Sequence, residues 1–124
     1  MWRAYRGNQR KAFRAIACLR NERSFERHHL EALKTLQDRD LIYEIGSRQS
    51  ERRPLTMKQA FLLELGSVAT VQRRLRRLRQ LGLVQQRRSA RDGRVQELRL
   101  SAKVLGVFAR YDDLLRSGDR AHKG

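Results

Sequence analysis

Gly66-Ser-Val-Ala-Thr-Val-Gln-Arg-Arg-Leu-Arg-Arg-Leu-Arg-Gln-Leu-Gly-Leu-Val84 is the stretch whose reading decides the fold. Val68, Val71, Leu75, Leu78 and Leu81 follow spacings of 3, 4, 3 and 3, which predicts a helix over 68–81 with one apolar face. At about 100° per residue the opposite face is Ala69, Arg73, Arg76 and Gln80, flanked by Thr70, Gln72 and Arg77, with Arg74 and Arg79 nearer the edges. Ser67 or Ala69 begins this helix, and Gly82 stops it as a C′ residue. Leu83-Val84 then opens a strand, and Asp92-Gly93 signals a hairpin turn. Val95, Leu98 and Leu100 give the returning strand its character. Residues 66–100 hold ten arginines and only two acids, Asp92 and Glu97, so they carry +8 of the chain's formal +16.

Upstream, Pro54-Leu55 reads as extended, because the residue before a proline avoids the α region. Thr56 caps a short helix through Ala60, Phe61, Leu62 and Leu63, and Leu65-Gly66 makes the turn into the arginine-rich helix. A short bracing helix, a tight turn and a helix that is apolar behind and polar in front meet the needs of a helix-turn-helix. Its second helix fits a major groove about 12 Å wide. A hairpin straight after it forms a wing, and Arg91 and Arg94 flank the wing's turn. Narrow minor grooves concentrate negative potential and attract arginine. A charged helix face is often merely solvated. Here residues 65–91 contain no acid, so no i,i+4 salt-bridge pattern explains the charges.

The remaining segments read as helices with weaker punctuation. Residues 1–7, with Trp2 and Tyr5 among basic residues, are expected to form a flexible arm or a docked tail. A helix follows from Asn8, with Ala12, Phe13, Ile16, Ala17 and Leu19 at helical spacing, until Asn21 and Ser24 interrupt it. Ser24 is read as the cap of a helix from Phe25 to Gln37, with Leu30, Leu33 and Leu36 inward. Asp38 or Asp40 caps the next helix, which carries Leu41, Ile42 and Ile45, and Gly46 ends its apolar stripe. Residues 47–53 read as a loop. Ser101 caps a last helix with Val104, Leu105, Phe108, Tyr111, Leu114 and Leu115, and the tail from Ser117 is expected to fray. The aromatics Phe13, Phe25, Phe61, Phe108 and Tyr111 are expected in core or dimer contacts.

Composition fits this outline. A chain of 124 residues with 40% hydrophobic content is long enough for one folded domain. A pI near 11.5 makes nucleic acid the expected partner. The charge is focused. Residues 1–23 have seven basic and one acidic residue, giving +6; residues 24–65 have seven of each, giving 0; residues 101–124 have five and three, giving +2. No run of about 18 apolar residues predicts a membrane span, and the N-terminus lacks a signal-peptide h-region. Cys18 is the only cysteine, so neither an internal disulfide nor a multi-cysteine metal cluster is expected; it is read as a partly buried, inert thiol. His28 and His29 point about 100° apart on a helix and, with His122, make a poor metal site. Asp112-Asp113 reads as a solvated pair. No phosphate loop, zinc-binding helix or nucleophile elbow is present, so neither an enzyme nor a cofactor is expected.

The ordered set Leu65-Gly66, Thr70-Val71-Gln72-Arg73, Arg77-Leu78, Gly82-Leu83-Val84, Asp92-Gly93-Arg94 and Leu98-Arg99-Leu100-Ser101 resembles the MarR-type winged-helix regulators over roughly residues 41–105. The resemblance implies that Thr70 and Arg73 sit in the major groove, that Arg94 enters the minor groove, and that Asp92 supports the wing by pairing with Arg73 or Arg77. It also implies a homodimer joined through residues 8–37 and 102–116. The expected fold is mainly α with a small β-hairpin wing, a winged helix-turn-helix with flanking dimerisation helices. Its segments are 1–37 (basic arm and N-terminal helices), 38–101 (DNA-binding) and 102–124 (C-terminal helix and tail).

The expected function is a sequence-specific transcriptional regulator of duplex DNA, cytoplasmic and nucleoid-associated, with no small-molecule effector assigned. The alternative is a plasmid- or phage-type replication or nucleoid-architecture protein on the same fold without a ligand response. The expected DNA-binding residues are Ser67, Ala69, Thr70, Gln72, Arg73, Arg74, Arg76, Arg77, Gln80, Arg87, Arg88, Arg91 and Arg94. Arg79 adds to the charge that meets phosphates.

Overall fold

A computed structural model describes the backbone of residues 2–123 and the side chains of residues 6–117. It divides into two compact units, residues 1–31 and 32–124.

The first unit is one helix, α1 (Trp2–His29). Its span over residues 2–7 and through Ser24 corrects the expected arm or tail there and the expected break. Nothing in the segment after Gly7 is a glycine or proline, and serine in a helix interior costs only a few tenths of a kcal/mol. The helix runs on through Ser24, whose carbonyl accepts a hydrogen bond from His28 Nδ1 at 2.7 Å. Side chains 6–21 are all exposed. Phe13, Ile16 and Leu19 therefore face solvent on one side of α1, and so does Cys18, against the expectation of a partly buried thiol. His122 lies outside the residues whose side chains are described.

The second unit contains α2 (Leu36–Ser50), β1 (Leu55–Thr56), α3 (Met57–Phe61), α4 (Val68–Gln80), β2 (Val84–Arg88), β3 (Gln96–Leu100) and α5 (Ala102–Lys123). Thr35 caps α2 by accepting from the Asp38 backbone N–H at 3.1 Å, so neither Asp38 nor Asp40 is the cap and Leu36 is exposed at the helix start. Gly46 does not end α2, and the expected loop at 47 is helix up to Ser50. The glycine instead makes room for the sheet. A Cβ there would stand 2.9 Å from Leu100 Cδ1.

The strands form an antiparallel sheet in the order β1-β3-β2. Leu55 pairs with Leu98, Val84 with Leu100, and Arg88 with Gln96. The expected hairpin is present, and β1 adds a third strand along its other edge. Leu41, Ile42 and Ile45 of α2, Val71, Leu75 and Leu78 of α4, and Leu55, Val84, Leu98 and Leu100 of the sheet are buried. Burying a side chain of this size contributes roughly 1.5–3 kcal/mol. The period-3.6 stripe of α4 and the period-2 stripe of the hairpin thus meet in one core. Val68 and Leu81, at the ends of the α4 stripe, remain 52% and 40% exposed.

The ends of α4 follow the sequence closely. Ser67 caps it, accepting from the Thr70 backbone N–H. At the other end Gly82 has φ +73°. Its N–H bonds to the Arg79 carbonyl at 3.0 Å, and Leu83 N–H bonds to the Leu78 carbonyl at 2.9 Å. That paired pattern needs a left-handed residue at the C′ position. Ser101 Oγ accepts from Val104 N–H at 3.4 Å at the start of α5. The Tyr43 ring of α2 lies 6.1 Å from that of Phe108 of α5. The tail expected to fray from Ser117 continues α5 up to Lys123.

Candidate nucleic-acid interface

The short helix α3 is fixed by a capping box, in which Thr56 Oγ1 accepts from Gln59 N–H and Gln59 Oε1 accepts from Thr56 N–H. The turn that follows places Glu64 at φ +57°. A side chain with a Cβ pays about 1–2 kcal/mol for that left-handed conformation, and the Glu64 side chain makes no hydrogen bond or ion pair among the described residues. Glu64→Gly is therefore expected to raise the melting temperature by about 3 °C. A lowered melting temperature would show that Glu64 makes a stabilising interaction instead.

On α4 the outward residues Ala69, Gln72, Arg73, Arg76 and Gln80 are all exposed, and Thr70 is half-buried. Ser67 Oγ and Thr70 Oγ1 are 2.9 Å apart, and Arg73 Nη2 donates to Thr70 Oγ1 at 3.4 Å. This run of hydroxyls leads from the helix cap to the guanidinium of one exposed arginine.

Two of the expected DNA-binding residues are engaged within the protein. Arg74 and Arg77 turn back to Asp38, whose carboxylate is fully buried. Arg74 Nη1 lies 3.4 Å from Oδ1, and Arg77 Nη1 3.0 Å from Oδ2. Arg74 Nη1 also donates to Thr35 Oγ1 at 2.6 Å, and Arg77 Nη2 donates to the Ala32 carbonyl. Both arginine side chains are half-buried. The helical wheel set them on or beside the outward face, but long side chains at the wheel's edge reach whichever anion the fold supplies. Asp38 was read from sequence only as a cap. Its burial depends on the tertiary fold bringing the first turn of α2 within reach of Arg74 and Arg77, which no local pattern reports.

The wing places Arg87, Arg88, Arg91 and Arg94 in solvent. Neighbouring strand residues point to opposite faces. Arg88 shares its face with Gln86 and buried Val84, while Arg87 shares the other with Gln85, whose Oε1 accepts from Arg87 Nη2 at 3.0 Å. Asp92 Oδ1 accepts from the Arg94 backbone N–H at 3.0 Å, and Ser89 Oγ accepts from the N–H groups of Arg91 and Asp92. Asp92 therefore shapes the wing turn locally. The expected pairing with Arg73 or Arg77 is not made, since Arg77 is engaged by Asp38 and Arg73 by Thr70. Gln86, Gln96 and Asp38 belong to this surface or its support and were missed in the sequence.

Other chemistry is sparse. No three His, Cys, Asp or Glu side chains stand together to hold a metal among the described residues. No helix among them is long and apolar enough to cross a membrane.

No family model matches the sequence, and no curated protein matches it either. Solved structures do match. The S. aureus MepR–DNA complex aligns with a TM-score of 0.62 at 17% identity, covering 91% of this chain and 89% of that one. The S. aureus MepR G34K mutant aligns at 0.56 and 16% identity, over 90% of this chain and 82% of that one. The transcriptional regulator SlyA aligns at 0.52 and 16% identity, over 91% of this chain and 74% of that one. The fold is that of the MarR-type winged-helix regulators. Within that fold α3 and α4 are the helix-turn-helix and the β2–β3 hairpin is the wing.

Proposed function

We propose that this chain is a DNA-binding transcription regulator. In this reading it acts as a homodimer that sets α4 in the major groove and the wing in an adjacent minor groove of a preferred site. The observation that carries the reading is the division among the α4 arginines. Arg74 and Arg77 are tied to Asp38 inside, whereas Arg73 and Arg76 stand outward on a face that has no acid of its own. S. aureus MepR, of the same fold, has been solved bound to DNA. Ser67, Ala69, Thr70, Gln72, Arg73, Arg76 and Gln80 meet the major groove; Arg91 and Arg94 meet the minor groove; Arg87 and Arg88 meet phosphates. Arg74 and Arg77 brace α4. The regulator works in the cytoplasm on the nucleoid.

The dimer reading rests on apolar side chains left in water. Phe13, Ile16 and Leu19 on α1 and Leu105, Leu114 and Leu115 on α5 are 38–60% exposed, and a second copy would cover them.

Selection of bound sequences from a random duplex pool, followed by the mass of the complex, tests the proposal. A defined motif and two chains per duplex are expected. Each phosphate neutralised adds about −0.9 to the slope of log K against log salt, so affinity should fall steeply between about 50 and 200 mM. Binding insensitive to salt would refute it.

The exposed residues 6–21 of α1 include five basic side chains and no acid. This favours, as a second reading, a sequence-blind architectural or replication protein. Broad coverage instead of sharp sites in a genome-wide footprint would select that reading.

A further inference from the structure

The face of the wing that looks towards α4 changes character along its length. Val84, Leu98 and Leu100 are buried, and beyond them the same face carries Gln86, Gln96 and Arg88. Arg79 of α4 reaches this region, its Nη1 donating to Gln86 Oε1 at 2.6 Å. Gln86 Nε2 in turn donates to Gln96 Oε1 at 3.4 Å.

The direction of this chain is fixed by chemistry. A guanidinium has donors and no acceptor, so Gln86 must show Arg79 its oxygen. Its amide nitrogen then faces Gln96, which must also present an oxygen. The Gln96 nitrogen remains as a donor. Arg79 uses one N–H on Gln86 and keeps its others. Arg88, exposed two residues along β2 from Gln86, adds a second guanidinium on the same face. The wing's acid nearest in sequence, Glu97, is on the opposite face and lies 3.9 Å from Arg99. The angle between α4 and the wing is thus lined by donors and positive charge.

We infer that this angle is a clamp for one backbone phosphate of duplex DNA, held by Arg79 and Arg88 and positioned by Gln86 and Gln96. The inference rests on the DNA-binding reading above. The ligand class follows from the lining, because groups that can only donate want an anionic oxygen. Its source follows from the architecture. One sugar-phosphate strand separates a major groove from the neighbouring minor groove, and a protein with a helix in one and a wing in the other straddles it. The angle between the two elements is where that strand passes. The glutamine chain holds Arg79 in place before DNA arrives.

The test uses the full chain, a duplex selected by it from a random pool, and copies of that duplex in which single phosphates are replaced by uncharged methylphosphonates. For the unaltered chain, one replacement between the two contacted grooves is expected to weaken binding about tenfold, the size of one lost charge-assisted hydrogen bond. Gln86→Glu is expected to bind the natural duplex about tenfold more weakly, since its carboxylate captures Arg79 and repels the phosphate, and to lose sensitivity to that one replacement. Gln96→Ala should show the same loss of sensitivity in part, guarding against a variant that merely misfolds. Gln85→Glu makes the same charge change on the other face and should retain the full sensitivity. Should the unaltered chain bind no duplex, the DNA reading falls and the clamp with it. Should it bind while all variants keep the same sensitive phosphate, the clamp alone is overturned.

Discussion

Asp38→Ala is expected to destabilise the protein by about 3 kcal/mol and to lower its melting temperature by about 10 °C. The carboxylate is 1% exposed and meets Arg77 at 3.0 Å and Arg74 at 3.4 Å. Removing one member of a buried pair leaves charge without compensation, an effect of about 3–5 kcal/mol. The lower end applies here because Arg74 and Arg77 keep 24% and 35% of their side-chain surface, so water can partly solvate them once released. Replacing the partners as well, in Asp38→Ala combined with Arg74→Met and Arg77→Met, should recover part of the loss, since apolar groups of similar volume often substitute for buried ion pairs. Recovery stays incomplete, because the Ala32 carbonyl loses the Arg77 donor. Urea unfolding of the three variants and the parent provides the measurement. A loss under about 1 kcal/mol for Asp38→Ala, the value of an exposed pair, would mean that Asp38 does not brace α4. Released guanidinium groups would also add loose positive charge beside the outward face. Affinity for unselected duplex should then hold or rise while preference for the selected site declines.

The same carboxylate shows where sequence reading stops. The limits of α4 were legible because Ser67, Gly82 and the Val71–Leu75–Leu78 stripe are local signals, and cap, stop and periodicity agree there. The hairpin was legible for the same reason, through Asp92-Gly93 and the alternation at Leu98 and Leu100. The two-residue strand β1 was read only as extended chain at Leu55. A strand that short has no period, and it exists because Leu98 is there to pair with it. Gly46 carried a stop signal that the structure overrides, since the space it leaves is filled by Leu100. On the candidate site, the wheel placed Arg73 and Arg76 outward, where the structure exposes them, and set Arg74 and Arg77 at or near its margin without showing what they would reach. Their partner is 36–39 residues upstream, and only the tertiary fold brings the first turn of α2 within their reach. Gln86 and Gln96 carry no charge and gave no signal in the sequence, because their role depends on which face of the hairpin looks at α4.

Arg73→Ala and Arg87→Ala are expected to fail in different ways, and that difference is the sharpest test of how the surface divides its work. Arg73 projects from the exposed face of α4 with its guanidinium hydrogen-bonded to Thr70, itself held by Ser67. A guanidinium presented in this way can fork to the O6 and N7 of guanine, a contact worth about 1–3 kcal/mol of discrimination. Its removal should flatten preference at one base-pair position of the selected site by about 5- to 150-fold, leaving binding to unrelated duplex little changed. Arg87 lies on the outer face of β2 against Gln85, a position suited to phosphate. Its removal should weaken every sequence alike and reduce the salt slope by about 0.9. Thr70→Val keeps the shape of its residue and removes the hydroxyl that holds Arg73. It should therefore reduce discrimination at the same base pair as Arg73→Ala, by a smaller factor, with the salt slope unchanged. Titrating a panel of single-base variants of the selected site at two salt concentrations reads out all three proteins. Equal losses across the panel for Arg73→Ala and Arg87→Ala would show that the outward arginine of α4 acts only as charge. The hydroxyl chain from Ser67 would then be a helix cap and nothing more.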